Sequence, residues 1–302
     1  MTDSAAALAA TTAVPTAEEL RAELDALFER VGRPLVITHR GTTLGSFPDN
    51  TVRAAIAALR SGTDVVEVDV IRSTDGEYYL FHNGYEGKHF AGAEDLRTLA
   101  AAEIDELSFC WQGERGTVRP TRLLDLLRAL PEAWLNIDRS WFYWPELLDL
   151  LTAAGAARRV LLKSPPEPEA LAALAAHPTP FLYYPIVTTP EQFAQVRSVP
   201  GLNLVGAEIL AATPEDPYAD PSAVAALAAE YPLVQVNALN LENGARLYLG
   251  HDDEAALLEG PEAGWGPLVR SGATAIQTDW PHLLRDHLEQ QGLRTGLSAP
   301  GL

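Results

Sequence analysis

Positive charge is scarce in this chain of 302 residues. It has 22 lysine and arginine residues against 41 aspartate and glutamate residues, a formal net charge of −19, and its only lysines are Lys88 and Lys163. A chain with this excess of negative charge repels a polyphosphate backbone, so we do not expect it to bind nucleic acid. A small anionic ligand remains compatible with the charge, because a local cation or metal ion decides its binding.

Cysteine and long apolar runs are also scarce. Cys110 is the only cysteine, which excludes an intramolecular disulfide and a thiolate metal site. No stretch approaches the roughly 20 consecutive apolar residues of a membrane span, and residues 1–15 lack the basic start of a signal peptide. We therefore predict a disordered tail at 1–15 and a cytoplasmic protein without a membrane span.

What the chain does have is a regular alternation of short apolar runs and helix-like stretches. Eight such runs separated by helices predict a parallel sheet, since parallel pairing needs crossovers, and closing that sheet gives a (β/α)₈ TIM barrel. A doubly wound open sheet is the alternative, but no Gly-rich dinucleotide-binding turn follows the first run. The predicted strands are 35–39, 64–71, 134–138, 160–163, 181–186, 204–208, 233–237 and 274–278.

We predict one α/β barrel domain over 16–290, opened by a lead-in helix with Thr16 as its N-cap and followed by a C-terminal tail at 291–302. Two segments are too long for the bare repeat, a rim insertion after the second strand at 81–120 and a segment at 241–265. Both follow a strand, so we expect both at the carboxyl ends of the strands, where barrel active sites are built.

Acidic residues occupy the second and third predicted strands. Glu67 and Asp69 are two residues apart, so their carboxylates point to the same face, which in a barrel is the inside. Buried carboxylates need a cation, and Asp138 on the neighbouring strand would complete an oxygen shell that suits Mg²⁺ or Ca²⁺. The alternative is a buried ion network in which the acids pair with Arg40 or Lys163.

Two histidines favour the metal site over the ion network. His39 ends the first strand and precedes Arg40, and His82 follows a short extended run just after the strand that carries the two acids. Two histidines, an arginine and a metal ion suit phosphoryl transfer. The metal and the arginine neutralise the phosphate oxygens, while one histidine accepts a proton from the nucleophile and the other protonates the leaving oxygen. We predict structural roles for the other five histidines.

The same residues resemble the glycerophosphodiester phosphodiesterase family over roughly 35–285. The family pattern is H-R-G, P-E-N-T, G-x-D-x-x-E-x-D-V, T-x-D-G and H-D, with T-D-x-P near the end. The corresponding residues here are His39-Arg40-Gly41, Pro48-Asp49-Asn50-Thr51, Gly62 to Val70, Thr74-Asp75-Gly76, His82 and Thr278-Asp279-Trp280-Pro281.

The resemblance implies a TIM barrel of the phosphatidylinositol-phospholipase-C-like type with one bound divalent cation, Mg²⁺ or Ca²⁺. In related enzymes the histidine after the first strand is taken as the base. A substrate hydroxyl next to the phosphate often attacks first, which gives a cyclic phosphodiester. The implied roles are metal binding for Glu67, Asp69 and Asp138, phosphate binding for Arg40, and acid and base catalysis for His39 and His82.

Several family positions differ in this chain. The third acid, usually Glu in an E-x-K motif, is Asp138, and the lysine of that motif is replaced by Ser140. Lys163, which ends the next strand, is the candidate substitute for phosphate binding, and a strand-end surface lysine is the alternative. The H-D motif carries Asn83, and of the family's W-T-x-N only Asn240 remains. These changes predict an altered substrate more than lost catalysis.

Candidate substrate-pocket residues follow the strands of the barrel. The aromatic run 141–144 comes directly after the third acid, so Trp141 and Trp144 are expected to wall the pocket, with packing under a loop or a dimer contact as the alternative. Glu208, at the end of the sixth strand, would recognise a hydroxyl or an ammonium group unless it forms a salt bridge. Asn240 completes this set.

Three further segments bear on the site. The segment 85–90 replaces an arginine-containing stretch that usually follows H-D in the family. Asp49-Asn50-Thr51 and Thr278-Asp279 are both expected to cap the helices that follow them.

The sequence therefore predicts a metal-dependent phosphodiesterase that cleaves a small glycerophosphodiester-like substrate by acid and base catalysis. The attacking group would be a neighbouring substrate hydroxyl or water. Two alternatives remain open, a phospholipase-D-like lyase that releases a cyclic phosphate and a non-catalytic barrel that binds a phosphorylated ligand.

Overall fold

The structure is a computed structural model that describes residues 14–41, 47–92, 94–111 and 114–294. The predicted N-terminal tail falls outside the described residues up to residue 13, and the predicted C-terminal tail falls outside them from residue 295. No helix in the described part of the chain is long and apolar enough to cross a membrane.

Strands and helices alternate along the described chain. The strands are β1 (Leu35–Thr38), β2 (Val65–Arg72), β3 (Tyr78–Leu80), β4 (Cys110–Trp111), β5 (Glu114–Arg115), β6 (Thr121–Arg122), β7 (Trp134–Asp138), β8 (Val160–Ser164), β9 (Leu182–Val187), β10 (Asn203–Leu204), β11 (Gly206–Ile209), β12 (Leu233–Asn237) and β13 (Ala275–Thr278). The α-helices are α1 (Ala17–Val31), α2 (Val52–Arg60), α3 (Glu86–His89), α4 (Ala101–Asp105), α5 (Leu123–Ala129), α6 (Glu146–Ala153), α7 (Pro168–Ala176), α8 (Pro190–Arg197), α9 (Pro221–Glu230), α10 (Asp253–Leu258), α11 (Pro261–Arg270) and α12 (Pro281–Gln290).

Eight parallel strands close into a barrel. Strands β1, β2, β7, β8, β9, β11, β12 and β13 pair in this order, and β13 pairs back with β1. The helices that connect them pack outside, as right-handed parallel crossovers require. The predicted (β/α)₈ barrel is confirmed.

Two predicted elements are each divided in the structure. The predicted sixth strand is interrupted at Val205, which separates β10 from β11. One of the helix-like stretches of the sequence, residues 255–271, forms two helices, because Gly260 adopts a φ of 112° and ends one helix while Pro261 begins the next. Glycine tolerates that backbone conformation, and proline suits the first turn of a helix.

Helix α1 closes the amino-terminal end of the barrel. Thr16 and Glu19 form a capping box, with Glu19 N donating to Thr16 Oγ1 at 3.2 Å and Thr16 N donating to Glu19 Oε2 at 2.7 Å. The apolar face of α1 includes Leu20, Leu24 and Leu27. It forms one buried cluster with the inward residues at the amino-terminal ends of the barrel strands. These inward residues are Leu35, Ile37, Val65, Trp134, Leu161, Leu182, Tyr184, Val205, Leu233 and Ala275.

The barrel interior changes from apolar to polar along the strands. On β2 the inward residues run from Val65 to Glu67 and Asp69, and on β8 they run from Leu161 to Lys163. A polar layer buried in this way is stable only when its groups are paired or bind a ligand. The carboxyl end of the barrel is therefore where a site is expected.

The segment after β2 folds into its own small layer on this rim. Strand β3 pairs antiparallel with the outer part of β2 and with β6, and β4 pairs with β5. Phe81, Phe90, Phe109 and Ile104 form a separate buried cluster beneath it. This layer fixes the chain from residue 81 onward and holds His82 near the end of β2.

The folded domain continues past residue 290. Arg294 is 8% exposed and forms a two-pronged pair with Asp64, at 2.5 and 2.7 Å. Asp64 also accepts a hydrogen bond from Val36 N at 2.7 Å. The chain up to Arg294 is thus tied to the bottom of the barrel.

Candidate active site

Three carboxylates lie together at the carboxyl ends of two adjacent strands. Glu67 and Asp69 are 1% and 2% exposed on β2, and Asp69 lies in register with Asp138 at the end of β7. One oxygen from each carboxylate lies within 4.8 Å of the others. The pKa of Glu67 is raised well above its usual range, mainly by burial and next by the nearby Asp69 carboxylate. Like charges brought this close in a buried site favour a bound cation.

The surroundings of these carboxylates fit a divalent ion. All three donors are oxygens, which suits Mg²⁺ or Ca²⁺. Asn136, fully buried and in register with Glu67, has no hydrogen-bond partner for either side-chain polar atom within the described chain. An unpaired amide beside an acidic cluster is explained by a bound ion or its water, because buried polar groups are normally satisfied.

Arg40 is buried beside the acids and has a left-handed backbone. Its φ is 52°, and its backbone N–H donates to Glu67 Oε2 at 2.7 Å. Its guanidinium lies 3.2 Å from Asp69 and 3.6 Å from Asp49, and 4.4 Å above the ring of Tyr85. Burial alone lowers the pKa of Arg40, but the two aspartates raise it, so the cation is retained. The geometry suits a phosphate-binding arginine.

Asn50 fixes Asp69 from the loop before α2. Its amide oxygen accepts from Asp69 N at 2.9 Å and its Nδ2 donates to Asp69 Oδ2 at 3.0 Å. Thr51 caps α2 by accepting a hydrogen bond from Ala54 N at 3.1 Å, so the predicted capping is confirmed for Thr51. Asn50, in contrast, orients a site carboxylate.

His39 is held by a carboxylate from the last strand. Its Nδ1 lies 2.9 Å from Asp279 Oδ1. Burial lowers the pKa of His39, but Asp279 outweighs this effect and raises the pKa above its usual value. The capping role predicted for Asp279 is wrong, because α12 begins after Trp280 without a side-chain cap. The pairing follows from barrel closure, since Thr38 and Thr278 are in register and the next residues are neighbours.

His82 lies on the loop after β3. Its Nδ1 lies 2.9 Å from the carbonyl oxygen of Asn83, and its Nε2 lies 3.4 Å from the guanidinium of Arg139. Burial lowers the pKa of His82 below its usual value; Asp69 opposes this effect, whereas Arg40 and Arg139 add to it. The two histidines therefore have pKa values displaced in opposite directions.

Lys163 is shared between two carboxylates inside the barrel. Its ammonium lies 3.1 Å from Asp138 and donates to Glu208 at 2.7 Å. Glu208 also accepts from Gln235 Nε2 at 3.2 Å and Asn237 Nδ2 at 2.8 Å. Burial lowers the pKa of Lys163, but the two carboxylates raise it well above its usual value. Lys163 and Glu208 are thus both in the site, joined by a buried salt bridge.

Most of these charged residues line one cavity of about 160 Å³ at the carboxyl end of the barrel. Of the other pocket candidates, Asn240 lines an adjoining cavity of about 240 Å³ and accepts from Glu254 N at 2.8 Å. Trp141 is half-buried against the core, and Trp144 is 8% exposed within the core, so the structure brings neither to the cavity. The cavity is lined by His39, Arg40, Asp69, His82, Asp138, Lys163, Glu208, Asn237, Leu239, Leu241, Leu247 and Gln277.

Several site residues have no local signal in the sequence. Gln235 donates to Gln277 at 2.7 Å, and Gln277 Nε2 lies 3.5 Å from Glu67, so two amides from the last strands support the acidic cluster. Tyr85 contacts Arg40 from the rim insertion. Only the inward alternation of β12 and β13 could have indicated the amides, and only strand adjacency across the closure could have indicated Asp279.

Comparisons with known proteins show which family this chain is similar to. A family model described as the Glycerophosphoryl diester phosphodiesterase family matches residues 39–169, and one described as a domain of unknown function matches residues 183–288. A Mycobacterium tuberculosis protein named "Probable glycerophosphodiester phosphodiesterase 1" is 33% identical over 78 residues, 26% of this chain. The match spans 28% of the length of that relative.

Solved structures share the fold along nearly the whole chain. A glycerophosphoryl diester phosphodiesterase from Parabacteroides distasonis superposes with a TM-score of 0.72 and 17% identity, covering 96% of this chain and 98% of that chain. A phosphodiesterase from Oleispira antarctica, in complex with the product sn-glycerol-3-phosphate, has a TM-score of 0.62 and 18% identity, covering 85% and 97%. The family model matches the part of the barrel that carries His39, Arg40, Glu67, Asp69, His82 and Asp138, so the predicted resemblance to the glycerophosphodiester phosphodiesterase family is confirmed.

Proposed function

We propose that this protein is a divalent-metal-dependent phosphodiesterase that hydrolyses a small glycerophosphodiester. The observation that carries the proposal is a cluster of three carboxylates, two of which line one cavity together with a buried arginine and two histidines. The Oleispira relative was solved with its product sn-glycerol-3-phosphate, which supports the same product class here.

The metal would be held by Glu67, Asp69 and Asp138. Once bound, a divalent cation supplies positive charge to the phosphate oxygens as charge develops in the transition state. The remaining phosphate charge is met by Arg40. Lys163 has three ammonium hydrogens and two carboxylate partners, so one donor remains for the substrate.

The two histidines carry out the two proton transfers of the reaction. One accepts the proton of the attacking hydroxyl, which is a neighbouring substrate hydroxyl or water, as that oxygen forms its bond to phosphorus. The other donates a proton to the leaving alcohol as its bond to phosphorus breaks. We assign the base to His39, because Asp279 holds Nδ1 and leaves Nε2 to act on the substrate, as in other carboxylate–histidine pairs. His82 is then the acid.

The reaction is tested by following phosphorus NMR signals of a panel of glycerophosphodiesters. Wild type is expected to release a phosphomonoester, and activity should vanish with EDTA and return with Mg²⁺ or Ca²⁺. A cyclic phosphate that persists without ring opening would indicate a lyase. Cleavage that survives EDTA and both His39→Ala and His82→Ala would refute the mechanism, and no cleavage of any substrate would favour a phospho-ligand-binding barrel.

Changing the leaving group of the substrate distinguishes the catalytic acid from the catalytic base. A substrate with an activated leaving group, such as a nitrophenyl ester, does not need protonation as the bond breaks. His82→Ala should therefore regain activity on that substrate, whereas His39→Ala should not. The opposite pattern would reverse the two roles.

A further inference from the structure

A tyrosine from the rim insertion lies against two residues of the candidate site. The ring of Tyr85 is 4.4 Å from the guanidinium carbon of Arg40, within range of a cation–π contact. The same ring meets His82 edge-to-face, with centroids 5.0 Å apart and planes at 86°. One side chain therefore touches both the phosphate-binding cation and a catalytic histidine.

A carboxylate from the opposite side of the rim holds this tyrosine. The hydroxyl of Tyr85 donates to Glu242 Oε2 at 2.8 Å, and Lys88 donates to Glu242 Oε1 at 3.2 Å. Glu242 follows Leu241, a residue of the cavity lining, in the loop between β12 and α10. Partial burial raises the pKa of Glu242, but these hydrogen bonds, with that of its own backbone, lower it to about 2. The acceptor is therefore ionised at neutral pH.

The turn that presents Tyr85 is itself anchored. Glu86 is only 7% exposed, and its carboxylate accepts from Gly84 N at 2.6 Å and from Leu96 N at 3.3 Å. Gly84 adopts a φ of 95°, a conformation that favours glycine. The position of the ring is thus set by the backbone of the insertion as well as by Glu242.

Arg40 has two carboxylate partners that compete with a phosphate for its guanidinium. Its guanidinium lies near Asp69 and Asp49, and the lysine that the family places after the third acid is Ser140 here. A ring packed on the flat face leaves only the edges of the guanidinium for hydrogen bonds. Because Arg40 also lines the cavity, an edge of its guanidinium held there is available for bidentate contact with a phosphate.

We propose that Tyr85 is a positioning residue for Arg40 and His82 and that Glu242 holds it in place, so that the rim insertion and the β12–α10 loop together set phosphate binding. The kinetic part of this proposal rests on the proposed function. The hydroxyl–carboxylate bond is charge-assisted, whereas the Lys88–Glu242 pair is exposed at 57% and 60% and contributes little.

The test uses the full-length chain with Tyr85→Phe, Glu242→Ala, their double variant, Tyr85→Leu and the control Lys88→Met. The measurements are kcat/KM on a glycerophosphodiester, the dissociation constant of sn-glycerol 3-phosphate and the melting temperature. Tyr85→Phe and Glu242→Ala should each weaken monoester binding and kcat/KM by about five-fold. Tyr85→Leu, which also removes the ring, should cost about twenty-fold.

The double variant is the sharpest readout. If one bond joins the two residues, Tyr85→Phe with Glu242→Ala should lose no more than either single variant, while Lys88→Met stays within about two-fold of wild type. Additive losses, unchanged monoester binding in Tyr85→Leu, or equal losses in Lys88→Met would overturn the proposal.

The two proposals fail in different ways. A wild type without turnover refutes the proposed function, yet the monoester titration still measures whether Tyr85 acts on Arg40. A wild type that binds no phosphate monoester overturns the positioning role as well. Equal falls in melting temperature and binding across all variants would point to a structural role only.

Discussion

The two halves of the barrel contribute differently to the candidate site. The first half, β1, β2, β7 and β8 with their loops, carries the charged groups that would meet a phosphodiester, including His39, Arg40 and Glu67. The second half, β9, β11, β12 and β13, supplies Glu208 and Asp279, which pair with Lys163 and His39 of the first. One half would perform the chemistry while the other orients it.

The family comparisons divide at nearly the same place. The phosphodiesterase model covers 39–169 and the model of unknown function covers 183–288. Reacting groups tolerate little change in type, because each must supply a given charge or proton. Supporting groups need only the right hydrogen bond, so amides such as Gln235 and Gln277 can fill the role. The second half therefore carries less recognisable motifs.

The largest effect is expected from a substitution in the first half, at the proposed metal site. Glu67→Gln removes the charge of a buried carboxylate that we propose binds the metal ion, so kcat/KM should fall by about 10³-fold or more through loss of charge stabilisation at the phosphate. The same substitution at an exposed acid, Glu169→Gln on α7, is the control and should leave kinetics unchanged. Near wild-type activity in Glu67→Gln would place the metal elsewhere.

The strongest effect from the second half is expected at Asp279. Asp279→Asn removes the carboxylate that orients His39, so kcat/KM should fall by about 10²-fold. Because Asp279 raises the pKa of His39, the alkaline limb of the pH profile should move to lower pH. The limb belongs to whichever histidine has the higher pKa, so this holds whether His39 acts as acid or base. Asp286→Asn on α12 is the control, and an unmoved limb in Asp279→Asn would contradict the pairing.

The sequence predicts the site residues of the first half better than those of the second half. The sequence predicts the ends of β7 and β12 and the convergence of His39, Glu67 and Asp69. It does so because the alternation of apolar and polar residues and the spacing of motifs are local properties. Asp279 could not be predicted, because its partner lies 240 residues away and meets it only when the barrel closes.

The aromatic run after β7 shows a second limit. Composition predicts that a Trp in this loop walls a pocket, but Trp144 turns into the core and meets Tyr183 edge-to-face at 6.3 Å. Tyr85, which does face the site, gives no local signal because its contact with Glu242 spans 157 residues. Which aromatic reaches a site depends on tertiary packing, which a local pattern does not contain.

A smaller effect is expected from removing the salt bridge between Lys163 and Glu208. Glu208→Gln leaves Lys163 with Asp138 as its one carboxylate partner, so the ammonium competes more strongly with a metal ion for that acid. Residues that orient metal ligands typically change affinity or activity by 10–100-fold, and we expect about ten-fold in kcat/KM here. Glu215→Gln, in the exposed loop that follows, is the matched control. A fall as large as that of Glu67→Gln would give the second half a direct catalytic role.

The smallest effect on activity is expected at the bottom of the barrel, which both halves share. Leu24→Ala opens a cavity between α1 and the strands, so the free energy of unfolding should fall by about 3 kcal/mol. Its kcat/KM at low temperature should remain near wild type, as measured beside chemical denaturation. A large loss of activity without loss of stability would mean that the bottom layer couples to the site.

The central claim is that the first half of the barrel holds the metal ion and the second half only orients the residues around it. It is tested most directly by calorimetric titration of Mg²⁺ and Ca²⁺ into the metal-free wild type, Glu67→Gln and Glu208→Gln. We predict one divalent ion per wild-type chain, no measurable binding by Glu67→Gln, and weakened binding with unchanged stoichiometry in Glu208→Gln. Equal binding by wild type and Glu67→Gln, or no binding by wild type, would contradict a metal site built on the carboxylates of the first half.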